Sequence, residues 1–138
     1  MGSQQILLIV LGVIVIGIAV AVGLMMFNSQ ASNSNRQVVV SDLNNFASMA
    51  LAFYKTNTEN GGGGDAWGTT DQIGQWLGFS WNGTYMQTEN GTYTPSISGD
   101  DLTIIGTGTE VGNNGSSPVQ ATIIVTGATG NISITVNN

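Results

Sequence analysis

The carboxylates are the side chains most able to do chemistry, and their spacing offers little for it. Asp100 and Asp101 are adjacent, and Asp65 and Asp71 flank Trp67. A calcium loop needs about six oxygens in a defined pattern, which neither cluster supplies, so solvated turns are expected. Hydroxyls are plentiful, but no serine has a histidine or a suitable lysine near it, so nucleophilic catalysis has no support. The chain has no histidine and no cysteine. Zinc, haem and iron–sulfur clusters lose their usual donors, and disulfides are impossible. No catalytic residue, metal or cofactor is therefore expected. Two cations, Arg36 and Lys55, cannot cover a phosphate backbone, so nucleic-acid binding is not expected either. Trp67, Trp76, Trp81, Tyr85 and Tyr93 admit sugar binding or electron transfer, but packing is the stronger reading. Asn82, Asn90, Asn114 and Asn131 each begin an Asn-x-Ser/Thr triplet, a possible glycosylation signal. A chain this rich in Asn, Ser and Thr produces about three such triplets by chance, so their number carries no weight.

The elements that must position these residues divide the chain into two materials. Its 138 residues suit one domain, or one domain with an appendage. Only 7% are charged, against about a quarter in soluble domains, and the net charge is −6. Residues 1–35 carry no charge, and every acid lies from Asp42 onward. Ile6 to Phe27 is an unbroken apolar run. As a helix it spans about 33 Å, enough for a bilayer core, and a transmembrane anchor is its simplest reading. A secretory signal peptide fits poorly, because no basic segment precedes the run and no small-x-small cleavage site follows it closely. The missing basic residues leave orientation unreadable. Either such residues were never there, or a short leader has been removed upstream of Met1. Gly12, Gly17 and Gly23, with Ala19 and Ala21, offer sites where apolar helices can approach closely.

Beyond Phe27 the pattern becomes one-sided. Val39, Leu43, Phe46, Ala50 and Phe53 recur at helical spacing, and neither Gly nor Pro falls between Leu24 and Glu59. One helix is expected from about residue 3 to 56, with residues 1–30 as a membrane or polymer-core half and 31–56 as an amphipathic half. Residues 57–68 form a glycine-rich junction, where Gly61–Gly64 is read as a helix stop and flexible turn. It is not a phosphate loop, because no Gly-Lys-Ser/Thr follows. Residues 69–138 form a β head domain. Thr69–Gln72 resembles a capping box opening a short helix that Gly78 closes, with a strand as the alternative. Asn-Gly pairs at 82 and 90 signal hairpin turns, giving strands near 78–81, 84–88 and 92–97, with another at 102–105. Gly112–Gly115 is a loop. A final hairpin pairs Val125 with Ile132, Ile123 with Ile134 and Ala121 with Val136, all apolar on one face. That face needs a cover, and the stripe Val39–Phe53 is the long amphipathic helix available. The fold class is α+β.

A long N-terminal helix, apolar then amphipathic, topped by a small β domain, resembles a type IV pilin. The apolar block Ile6–Phe27, the segment Asn35-Arg-Gln-Val-Val-Val-Ser-Asp-Leu-Asn-Asn-Phe-Ala, Ala52-Phe-Tyr-Lys and the Gly61–Gly64 run look like the helix and helix-to-head junction of bacterial pilin-like proteins of the Bacteroidetes and neighbouring phyla. The likeness covers residues 1–64, and over the head it rests on architecture. It implies a prepilin peptidase that removes a basic leader, then methylation of the new terminus, here Met1. It implies subunits held in the cytoplasmic membrane, extraction by assembly machinery, and burial of Gln5, Ile6, Gly12, Gly17, Ala19, Gly23 and Phe27 in the core of an extracellular, cell-surface helical filament, a homo-oligomer. Gln5 departs from the glutamate that usually pairs with a neighbour's terminal amine; a neutral amide needs no buried counter-charge. The alternative readings are a membrane-anchored surface binding module, a minor pilin or a secretion pseudopilin.

Overall fold

The computed structural model describes residues 2–138; Met1, the expected processing position, lies outside them. Helix α1 runs unbroken from Gly2 to Lys55, 54 residues or about 80 Å. Its first half is apolar on every side, and the absence of proline leaves no forced kink. A single turn of 3₁₀ helix, Thr58–Asn60, follows. Helix α2 covers Thr70–Leu77 with the expected capping box: the Thr69 hydroxyl accepts from the Gln72 N–H, and the Gln72 side chain accepts from the Thr69 N–H. Gly78 ends it in the left-handed conformation.

Five antiparallel strands follow in chain order as a meander: β1 Met86–Thr88, β2 Gly91–Ser98, β3 Asp101–Val111, β4 Pro118–Thr126 and β5 Asn131–Val136. The last hairpin has the expected register, with Val125 opposite Ile132, Ile123 opposite Ile134 and Ala121 opposite Val136. The expected stripe is the cover: Val39, Leu43, Phe46, Ala50 and Phe53 are buried against Tyr93, Leu102, Ile104, Ile123 and Val125. Helix α2 adds Ile73 and Leu77 to the same core. The fold is thus α+β, with the sheet wrapped onto the second half of one long helix.

The structure corrects four expectations. Residues 78–81 are not a strand. Gly78 turns the chain, Ser80 takes a φ of 33°, and the Trp81 ring lies against Gly74 while its N–H donates to Asp71. The segment is thereby tied to α2. Asn82-Gly83 is therefore no hairpin turn; the Asn82 side-chain oxygen accepts from the Thr84 and Tyr85 N–H groups and leads the chain into β1 at residue 86. Strand β3 is much longer than 102–105, because Gly106 and Gly108 occupy inward positions where α1 comes close. A side chain at 106 would meet Tyr93 and Val39, and one at 108 would meet Asn35. Finally, β5 is exposed along its whole length, although its partner β4 is buried on the inner face.

Candidate assembly surfaces

The expected core residues of the apolar half stand on a free rod. Ile6 and Phe27 are 62% and 71% exposed, and a side chain added at Gly12, Gly17 or Gly23 would meet nothing within one copy. An 18-residue window of this helix has mean hydropathy 3.2 with none of it buried, so the rod is long and apolar enough to cross a membrane. Gln5, Gly12, Ala19 and Gly23 follow one another at intervals of seven, seven and four residues, so they share one side. Gly17 lies on a different side of the rod. A single chain brings none of these residues into contact. Their side chains become buried only in lipid or against other molecules.

The helix meets the head through an apolar centre and a polar rim. The rim was not legible as function, because its residues are ordinary Ser, Asn, Arg and Asp on a helix. Ser32 donates to the Val111 carbonyl, and the Asn35 side chain accepts from the Thr109 and Glu110 N–H groups at 3.0 and 3.3 Å. Arg36 donates to Asn33 and to Asn113, both at 2.7 Å. The Asp42 carboxylate accepts from the Tyr93 hydroxyl at 2.6 Å and from the Asn90 amide at 3.3 Å. Burial, reinforced by that carboxylate, holds the Tyr93 hydroxyl far above its usual pKa. At the other end the Tyr54 hydroxyl donates to Asp100 at 3.0 Å, and burial followed by this bond raises its pKa too. Asp100 is therefore more than a solvated turn, since its carbonyl also accepts from Trp67 at 2.7 Å and its carboxylate from the Ala128 N–H at 2.9 Å.

The glycine run is tied back to the end of α1 by hydrogen bonds. Gly63, Gly64 and Asp65 donate their N–H groups to the carbonyls of Phe53, Thr56 and Tyr54 at 2.8, 2.9 and 2.8 Å. These bonds satisfy acceptors left free at the helix end. A side chain at Gly62 or Gly63 would collide with the Thr56 or Ala66 backbone. The junction thus fixes how the head sits on the rod.

The remaining candidates resolve into packing and turns. Trp67 and Tyr93 are buried; Trp76, Trp81 and Tyr85 are half-buried. Phe46 packs edge-on to Tyr93 at 4.7 Å, and Phe53 to Trp76 at 5.5 Å, so these aromatics build the core rather than a sugar platform. Asp65 pairs with Lys55 at 3.5 Å on the surface. Among the described residues no three carboxylates gather as a metal site. Asn82 and Asn114 are exposed with their side-chain oxygens holding local turns, Asn131 is exposed at the start of β5, and Asn90 is half-buried at the β1–β2 turn. An open cleft of about 540 Å³ lies between α1 at Ser29 and Ser32 and the β3–β4 loop at Glu110 and Asn113, with Glu110 its one charged lining group.

No family model, curated protein or solved structure matches the chain. The long apolar helix, continuous with an amphipathic half beneath a small antiparallel sheet, is consistent with a pilin-like fold.

Proposed function

We propose that this chain is the structural subunit of an extracellular helical filament of the type IV pilus kind. The observation that supports this is the junction of two surfaces on one helix. The same α1 that is the spine of the head continues for 22 residues, Ile6–Phe27, as a rod exposed on all sides and free of charge. In this reading the rod sits in the cytoplasmic membrane until assembly machinery extracts it, after a prepilin peptidase has exposed a terminus for methylation at Met1. It then packs against the rods of other copies. Lipid is as apolar as leucine, so close packing rather than hydrophobicity must favour the filament. The glycines and Ala19 permit that approach. A head-to-tail contact that does not close on itself yields a helix of subunits.

The same rod also serves a single-pass anchored surface module. Shearing cells, then examining the released material by electron microscopy and mass spectrometry, separates the two. The filament reading predicts fibres that contain this chain; a chain that stays wholly in the membrane fraction contradicts it. Replacing Gly17 by Leu adds bulk where rods would touch. We expect membrane insertion to persist and fibres to be lost. Normal fibres from that variant would argue against close helix packing at this position.

A further inference from the structure

Strand β5 carries a second apolar surface that its own chain leaves partly exposed. Ile132, Ile134 and Val136 point to the inner side of the sheet, beside the buried Val125, Ile123 and Ala121, yet they are 43%, 37% and 47% exposed. The reason is geometric. A helix about 10 Å across covers about two strands spaced about 4.8 Å apart. Helix α1 lies over β3 and β4, with Val39 at Gly106 and Tyr54 at Gly127, and it barely reaches β5. Helix α2 takes the β2 side. One helix position, alongside α1 and over β5, is empty. Its wall is the side of α1 that bears Arg36, Val40 and Leu51, all half-buried, above the buried Ala47 and Tyr54.

The edge is also unguarded. Exposed edge strands usually carry charges or proline, and β5 has neither. Charge marks the occupant. With a net charge of −6, heads repel one another. The chain has two long stretches without any charged side chain, residues 1–35 and 111–138. The first holds the exposed apolar rod, and the second holds β4 and β5. We propose that the partly exposed β5 stripe is the docking groove for the apolar rod, residues 6–27, of a second copy, which lies beside α1 as the missing helix of the layer. This rests on the filament reading and specifies one of its contacts.

The stripe is one six-residue strand, about 20 Å long, and is far short of the roughly 800 Å² per partner that a stable pair needs. The contact therefore forms only where rods are already held together, and not as a dimer of heads.

The absence of cysteine makes the test clean. Ile134→Cys is combined with Val13→Cys, Val20→Cys or Phe27→Cys in turn, and sheared fibres are treated with a short bismaleimide. We expect a ladder of linked subunits from at least one pair, with the link mapped between β5 and the rod. Assembled fibres with no such link in any register, or with Ile134→Cys linked only to another head, overturn the inference and leave the filament reading standing. Failure of the unaltered chain to form fibres overturns both. A matched pair of charges supplies a second readout. Ile134 and Ile124 are 37% and 39% exposed but lie on opposite faces of the sheet. Ile134→Lys should lower fibre yield about tenfold and Ile124→Lys should not. Equal yields from the two, with equal melting temperatures, contradict the docking groove.

Discussion

The most informative single residues are Asp42 and Tyr93, which join the helix to the sheet by one short hydrogen bond across 51 positions of sequence. Tyr93 is fully buried and packs on Phe46 and against the close approach at Gly106. Replacing it by Phe keeps the ring and strands the half-buried carboxylate with one weak partner. A loss of about 1–3 kcal/mol is expected in the thermal unfolding of the detergent-solubilised chain. The titration has a definite sign. Folding raises the Tyr93 pKa above its ordinary 10.0, so its contribution is complete below that pH and drains away as the pH climbs beyond it. Melting temperature should fall above about pH 10, and Tyr93→Phe should flatten that alkaline fall. A Tyr93→Phe profile identical to that of the unaltered chain would show that the hydroxyl has no such role. Nothing in the sequence marks this pair. A Tyr in one hairpin and an Asp on a distant helix have no shared motif; only the packed fold makes them neighbours.

Elements were legible where their signals were local. The helix stripe from Val39 to Phe53, the Thr69 capping box and the final hairpin follow from spacing and turn chemistry, and the structure has all three. Elements set by distant packing were not legible. The inward glycines of β3 look like loop residues until α1 lies over them, and Phe79–Trp81 looks like a strand until Trp81 closes on α2. Apolar alternation in β5 reads as burial, but one helix is too narrow to cover that strand. The contrast can be measured on the head. Leu43→Ala should cost about 2–5 kcal/mol, because the side chain is wholly buried, while Ile134→Ala, more than a third exposed, should cost about 1 kcal/mol. A large loss from Ile134→Ala would mean that β5 is covered within its own chain. Thr69→Ala, which removes the cap of α2, should also cost about 1 kcal/mol.

At the scale of the molecule, charge is unevenly divided along the chain. Acids sit on the second half of α1, on the junction, on α2, and on the strands and turns through Glu110, while the rod and the last two strands carry none. Copies brought together must overcome the repulsion of heads that each bear −6. Screening by salt relieves it, since the Debye length falls from about 30 Å at 0.01 M to about 10 Å at 0.1 M. Fibres should therefore withstand dilution better at 0.1 M salt than at about 0.01 M, as read by sedimentation. The opposite trend would mean that ion pairs, not apolar packing, hold the heads. The proposed filament makes both uncharged surfaces intelligible, the rod as the axis and β5 as a lateral groove. Helical reconstruction of sheared fibres by electron cryomicroscopy tests this most directly. The filament reading predicts a fibre built of this chain, with residues 6–27 bundled at the axis and their glycines at the points of closest approach. A chain found only in the membrane fraction, or a fibre whose axis is formed by the head domains with the rods outside, would contradict it.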